Sequence, residues 1–438
     1  MNINTLSCRC EFEILHPSNN LAEKRLCLSL TEALFSIEYV SNKQRKRLPY
    51  VKILPMLLES LEVHNFRNLS GKISWGAGLN IIYGDNGQGK TNWLEAIYLL
   101  ATTKSFRTQR LQETIRFEED LAVVRGHVAQ SLEVHRDMQV NLRGATKSIS
   151  VNGKREPVTR YLGQLHAIAF TADELNIVRG GPDARRKFLD RGVISLHPSY
   201  VQTLADYNHV IKQKNRLLQD ASESDLSFDR TVELVAPWNE QLVRLSTEIH
   251  SARTDYVERL TAVLERRLFE KEDIGIRYVS ALEGKGNLDD YQTLIAERLQ
   301  FRLQAEIASG YALIGPHRDD MEILFDGRDM RAFGSSGQQR SALIILDLAN
   351  VSVYYSWHNE YPLFLIDDVD AELDRKRINR LLEYLEGRTQ TFITTSKESL
   401  VEQFVEQANI YHVSKGVVME SESGEKLISS ALGSPGNI

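Results

Sequence analysis

Cysteine is scarce. The 438-residue chain has three, Cys8, Cys10 and Cys27, all near its start. Beyond Cys27 no disulfide and no thiolate metal site can form, and Cys8 with Cys10 make a C-x-C lacking partner ligands. Long apolar runs are missing as well. None approaches the roughly 18 residues that a membrane-spanning helix needs, and Thr31 and Glu32 interrupt the best candidate for a signal-peptide core. A cytoplasmic protein in a reducing compartment, with no membrane partner, is expected. Excess positive charge is absent too: the formal net charge is −6. That argues against a protein that coats polyanions indiscriminately. What remains, 42% hydrophobic and 26% charged residues, is ordinary for globular protein, and the length suffices for more than one domain with a large core.

Two distant segments carry the chemistry. Gly84-Asp85-Asn86-Gly87-Gln88-Gly89-Lys90-Thr91 fits G-x-x-x-x-G-K-[ST], after an apolar strand (Leu79 to Tyr83) and before an amphipathic helix (Thr91 to Ala101). Glycines let the backbone curl so that successive N–H groups point at the phosphates of a nucleotide, with Lys90 neutralising charge and Thr91 a ligand for Mg²⁺. Leu363-Phe364-Leu365-Ile366-Asp367-Asp368 is an apolar strand ending in two carboxylates. Asp367 is positioned to hold Mg²⁺ through water, and Asp368 to polarise an attacking water. Together they read as one nucleoside-triphosphate site binding ATP.

A third segment, Phe333-Gly334-Ser335-Ser336-Gly337-Gln338-Gln339, opens a helical run over Ser341 to Val351. A serine and a glycine amide at a helix start make an anion site. Through Ser335 and Gly337 the segment resembles the S-x-G-Q signature of ABC-type ATPases, which closes over the γ-phosphate held by another subunit. Ala371-Glu372-Leu373-Asp374 resembles the D-loop of that class. The strand Thr391 to Ser396 lies where such ATPases usually carry a switch histidine and has none, and Asp368 replaces the commoner glutamate, one methylene longer. Slow turnover is therefore expected, with ATP mainly holding a closed state.

The fold class expected is α/β: an ABC-type P-loop ATPase head with an inserted helical arm. Residues 1–55 are read as an appendage or an upstream start-codon artefact, 56–195 and 301–438 as the two parts of the head, and 196–300 as the arm. Ser148 to Val151 runs into Asn152-Gly153, a strong hairpin signal. Tyr200, Leu204, Tyr207, Ile211 and Leu218 recur at helical spacing, and Pro237 is taken to open a second helix with a seam at Trp238, Leu242, Leu245, Ile249, Ala252, Tyr256, Leu260 and Val263. This suggests an antiparallel helical arm. Basic clusters occur at Lys104, Arg107 and Arg110; at Lys147, Lys154, Arg155 and Arg160; at Arg185, Arg186 and Lys187; and at Lys212, Lys214 and Arg216. Each is a solvated face by default and a phosphate contact by hypothesis.

From Met56 to the C-terminus the chain resembles the RecF family of bacterial recombination mediators. Beyond the ATPase motifs this rests on His64 to Leu69, Asn92 to Tyr98 with Lys104 to Arg107, Gly180-Gly181-Pro182 with Arg185 to Asp190, and Gly315-Pro316-His317-Arg318-Asp319-Asp320. The resemblance implies a homodimer formed on ATP, joined through Lys90 and Thr91 of one subunit and Ser335 and Gly337 of the other. It also implies binding to double-stranded and gapped DNA, and partnership with RecO and RecR in loading recombinase. Two departures stand out: Ile168 to Thr171 fill the Q-loop region without a glutamine, and residues 1–55 match nothing in the family pattern. The residues give His317 no independent role. A nucleotide-gated DNA clamp with negligible hydrolysis is the alternative; a nuclease-coupled ATPase lacks a metallonuclease constellation, and a transporter subunit lacks a coupling segment.

Overall fold

The computed structural model describes residues 56–130, 133–223, 227–264 and 273–419. The expectations for residues 1–55, with the cysteines, fall outside that range. In chain order the strands and longer helices are β1 (Leu57–Phe66), β2 (Leu69–Ser74), β3 (Leu79–Tyr83), α1 (Lys90–Thr102), β4 (Leu121–Ala129), β5 (His135–Arg143), β6 (Thr146–Val151), β7 (Lys154–Arg155) and β8 (Ala167–Phe170). There follow α2 (Pro182–Leu196), α3 (Tyr200–Glu223), α4 (Phe228–Leu264), β9 (Ile274–Val279), α5 (Tyr291–Ser309), β10 (Asp320–Phe325) and β11 (Arg328–Asp329). The chain continues with α6 (Ser336–His358), β12 (Leu363–Ile366), α7 (Arg375–Leu385), β13 (Thr391–Thr395), α8 (Glu398–Phe404), β14 (Ala408–Ser414) and β15 (Val417–Met419).

The head is built on a six-stranded sheet in the order β15-β14-β3-β13-β12-β8, parallel except for the β14–β15 hairpin. β8 and β12 are apolar throughout because both faces are covered: in β12, Phe364 and Ile366 enter one core, Leu363 and Leu365 the other. β3 and β12 are parallel with β13 between them, so the loops leaving Tyr83 and Ile366 emerge at the same sheet edge. This places the two halves of the phosphate site together.

On one face lies an antiparallel sheet in the order β2-β1-β4-β5-β6-β7. α1 is sandwiched there, with every residue from Trp93 to Ala101 buried. The sequence suggested an amphipathic helix; a helix covered by sheets on two sides has no solvent face and is apolar nearly all round. Asn152 and Gly153 both have positive φ, as the expected two-residue hairpin between β6 and β7 requires.

On the other face α4 runs from a bundle with α3 and α5 into the head core, where Leu242, Leu245, Ile249, Tyr256 and Leu260 share one cluster with Phe364 and Ile366. The seam read as an arm is thus largely the head's own core, and the bundle has three helices rather than an antiparallel pair. Pro237 lies inside α4, not at its start. It forfeits one backbone hydrogen bond to Glu233, a loss tolerated where the flanking Val235 and Leu242 are fully packed. Lys214 of α3 and Glu306 of α5 form an ion pair of 2.6 Å with both side chains wholly buried.

Candidate functional site

β3 delivers the chain into the Gly84–Gly89 loop, and α1 carries it away at Lys90. Gly84 has φ +150, and a Cβ there would lie 2.4 Å from the Val413 carbonyl oxygen. Only glycine fits. The loop is pinned to the β14–β15 turn by Lys415 N donating to Gln88 Oε1 and Gly416 N donating to Gln88 O, both 2.7 Å. Lys90 Nζ donates to the carbonyls of Gly84 (2.8 Å) and Asp85 (2.9 Å). Burial lowers its pKa, and the negative charges of Asp368, Asp367, Asp370 and Asp85 oppose that.

Thr91, the next residue, donates from Oγ1 to Asp367 Oδ1 at 2.8 Å, closing the two distant motifs onto each other. Burial raises the Asp367 pKa, while hydrogen bonds from Thr394 and Thr91 and the charges of Arg107 and Lys90 hold it down. A hydroxyl and a carboxylate oxygen are the hard donors that Mg²⁺ takes, so the residues present fit that ion. Asp368 is exposed and has φ +49, an uncommon backbone conformation for aspartate. One residue holds both aspartates, one by its carboxylate and one by its backbone: Thr394 donates to Asp367 Oδ1 (2.8 Å) and accepts from Asp368 N (2.7 Å). Sequence reasoning noted that strand only for its missing histidine. Thr395 and Lys397 similarly hold Asp370, at 2.6 Å and 3.3 Å.

Ser335 caps α6 in a reciprocal box: its Oγ accepts from Gln338 N (3.3 Å), and Gln338 Oε1 accepts from Ser335 N (2.8 Å). The S-x-x-Q spacing could have been read from the sequence. The cap uses only a lone pair of the hydroxyl, so its proton remains available to an anion. α6 starts five residues earlier than expected, at Ser336. Gly337 stands beside α7, where a Cβ would lie 3.6 Å from the Arg377 guanidinium and Arg377 Nε donates to Ser341 Oγ at 3.1 Å, while the hydrogen bonds of Ser335 go to Gln338.

The remaining motifs explain one another. Glu95, fully buried on α1, accepts both arms of Arg67 (3.0 and 2.8 Å) and Ser105 Oγ (2.6 Å), tying the phosphate helix to the β1–β2 hairpin. Arg185 makes a two-pronged bond to Asp320 (2.7 and 2.8 Å), Arg186 donates to the Asp319 carbonyl (2.6 Å), and Arg253 joins Asp190 (2.9 and 3.0 Å) to the Pro316 carbonyl (2.8 Å). The segments Gly180–Asp190 and Gly315–Asp320 are therefore two sides of one joint. His317 sits in it, 2.6 Å from the Tyr207 hydroxyl, and burial holds its pKa down to about 4. Two basic clusters shrink accordingly: Arg185 and Lys214 are buried in ion pairs and cannot meet a phosphate backbone. Lys147 is half-buried, with Nζ on Thr103. Lys104, Arg107, Arg110, Lys154, Arg155, Arg160, Lys187, Lys212 and Arg216 remain exposed.

Residues 57–419 match the family model described as RecF/RecN/SMC N terminal domain. The DNA replication and repair protein RecF of Halothermothrix orenii is 35% identical over 378 residues, which span 84% of this chain and 100% of that protein. RecF of Lactobacillus johnsonii is 35% identical over 382 residues, with the same coverage. Among solved structures, one titled for the recombination mediator protein RecF with ATP in the RecFOR pathway superposes with a TM-score of 0.77 at 30% identity, covering 86% of this chain and 100% of that one. The chain belongs to the RecF family of DNA replication and repair proteins, and its fold is an ABC-type ATPase head.

Proposed function

We propose that the chain is an ATP-dependent DNA-binding recombination mediator. ATP binds in the Gly84–Thr91 loop, where the backbone amides and Lys90 neutralise the phosphates. Thr91 and Asp367 would hold Mg²⁺, which would supply further neutralisation of phosphate charge. In a second copy, the Ser335 hydroxyl and the amide end of α6 close over the γ-phosphate, so nucleotide occupancy becomes dimerisation. Exposed arginines and lysines then grip double-stranded or gapped DNA, and RecO and RecR take over to load recombinase. Asp368 accepts the proton of an attacking water, and the resulting loss of the γ-phosphate releases the grip.

The observation that carries this reading is the 2.8 Å bond between Thr91 and Asp367, residues 276 positions apart in the chain, which supports reading the glycine loop and the carboxylate strand together. Sedimentation with and without ATP tests it. Wild type should shift from monomer to dimer on ATP. Ser335→Arg should stay monomeric while binding ATP as before. A wild-type chain that remains monomeric at saturating ATP refutes the proposal.

A specific observation favours low turnover as part of it. The carboxylate at position 368 is the short one, one methylene less than glutamate, so it reaches less far toward a water. If hydrolysis drives release, Asp368→Asn should accumulate as DNA-bound dimer. If the chain is a clamp with negligible hydrolysis, the variant should behave as wild type.

A further inference from the structure

We infer that Glu59, His127 and His135 form a binding site for a zinc-type divalent cation on the outer face of the antiparallel sheet, with Asp137 as a positioning residue for His127. Neither the ATPase chemistry nor the DNA-binding reading uses these residues.

The site is made by a break in strand alternation. Leu58 and Leu61 of β1 both face the core, so two residues, Glu59 and Ser60, lie between them where regular alternation leaves one outward position. The pairing of β1 with β4 shifts register at this point, which is a β-bulge, and bulges re-aim side chains. Glu59 is turned across the sheet toward His127 on β4 and His135 on β5. The strands β4 and β5 keep their alternation there: Val128 and Met138 point inward, and His127, His135 and Asp137 point outward.

Glu59 Oε2 lies 3.4 Å from His127 Nε2 and 3.3 Å from His135 Nδ1. One ligand atom from each of the three residues falls within 4.8 Å of the others. Charge-assisted N–H···O bonds run at about 2.7–2.9 Å, so these separations are long for direct bonding. They match the edge of a tetrahedron around Zn²⁺, about 3.3 Å when metal–ligand distances are about 2.0–2.1 Å. The other nitrogen of His127 decides the tautomer. Nδ1 lies 2.8 Å from Asp137 Oδ1, a carboxylate oxygen that only accepts, so Nδ1 is the nitrogen that donates there and Nε2 is the one left to ligate a metal ion. A carboxylate behind a histidine is also the arrangement by which metal-ligating imidazoles are oriented. The two rings stack, 5.4 Å apart and 9° from parallel, and all three ligand residues are part-exposed, so an ion and a completing water can enter from solvent.

The test uses the full chain carrying Cys8→Ser, Cys10→Ser and Cys27→Ser, which removes thiol competition, after EDTA treatment and without nucleotide. Calorimetric titration with ZnCl₂ should give one equivalent bound. Binding should vanish in His127→Ala and in Glu59→Gln, and weaken by about 10- to 100-fold in Asp137→Asn. Co²⁺ should give the visible absorption of a four-coordinate centre in the parent and not in His135→Ala. Urea midpoints measured in EDTA should be alike in parent and variants, since every substituted side chain is on the solvent face. No saturable binding, or one equivalent retained in His127→Ala, overturns the inference and leaves a Glu–His hydrogen-bond cluster.

Discussion

His317 offers a test of the joint between the Gly180–Asp190 and Gly315–Asp320 segments. In the fold its Nδ1 accepts from the Tyr207 hydroxyl at 2.6 Å, and Nε2 faces the Ala312 carbonyl at 3.3 Å, an arrangement that suits the neutral ring. Burial first, then the nearby charges of Arg318, Arg186 and Lys214, lower its pKa from 6.5 to about 4, with the Ala312 carbonyl opposing. A folded pKa below the unfolded one means that the unfolded chain binds more protons between pH 4 and 6.5, so stability is full above 6.5 and declines as pH falls. Between pH 7 and pH 5 this residue alone should remove roughly 2 kcal/mol. His317→Asn keeps an acceptor for Tyr207 and cannot titrate. Urea unfolding of both proteins at the two pH values should show wild type losing roughly 2 kcal/mol more than the variant. His166 and His250, lowered to about 3 and about 4 by the same burial, titrate in both proteins and cancel in the difference. Equal losses would show that His317 is hydrated or already charged in the fold, and the argument would fail.

Removing one partner of the buried Lys214–Glu306 pair, as in Lys214→Met, should destabilise by about 3–5 kcal/mol, because Glu306 is left ionised among apolar groups. The double variant Lys214→Met, Glu306→Gln, which keeps an acceptor for Leu313 N, should recover at least half of that, and chemical denaturation of the two single and the double variants measures it. Thr394→Val should cut ATP turnover at least tenfold while nucleotide affinity, read by titration, stays within about threefold, since Thr394 sets Asp367 and Asp368 but does not touch the phosphate loop. An unchanged turnover would mean that the carboxylates are positioned by something else.

The phosphate site was legible because its demands are local. Gly84 is imposed by a positive φ and a carbonyl at its back, and β12 reads as unbroken apolar residues because two cores meet on it. The hairpin at Asn152-Gly153 was legible for the same reason, turn chemistry being carried by adjacent residues. Partners chosen across the fold were not. Arg185 reads as part of a basic cluster, and nothing near it in the chain reveals that Asp320, 135 positions away, neutralises it. Glu95 looks like one polar position on an amphipathic helix until the second sheet covers it and Arg67 supplies its charge. Pro237 carries a strong helix-start signal that packing on both sides overrides.

The turn between β1 and β2 explains how such distant partners bear on the chemistry. Asn68 lies against Gly89 of the phosphate loop and against Gly416 of the β14–β15 turn, so closely that a Cβ at either glycine would fall within 3.0 Å of it. Arg67, next to it, is locked to Glu95 on α1, and Arg107 reaches from the exposed basic cluster to Asn92 of the same helix at 2.8 Å. A shift of the phosphate loop therefore has to move this hairpin or break its contacts, and the hairpin shares α1 with Arg107. Close-packed, charge-paired elements transmit a displacement of a few tenths of an ångström instead of absorbing it. Under the ATP-dependent reading, this hairpin couples the nucleotide loop to the exposed Arg107 through contacts within the chain itself.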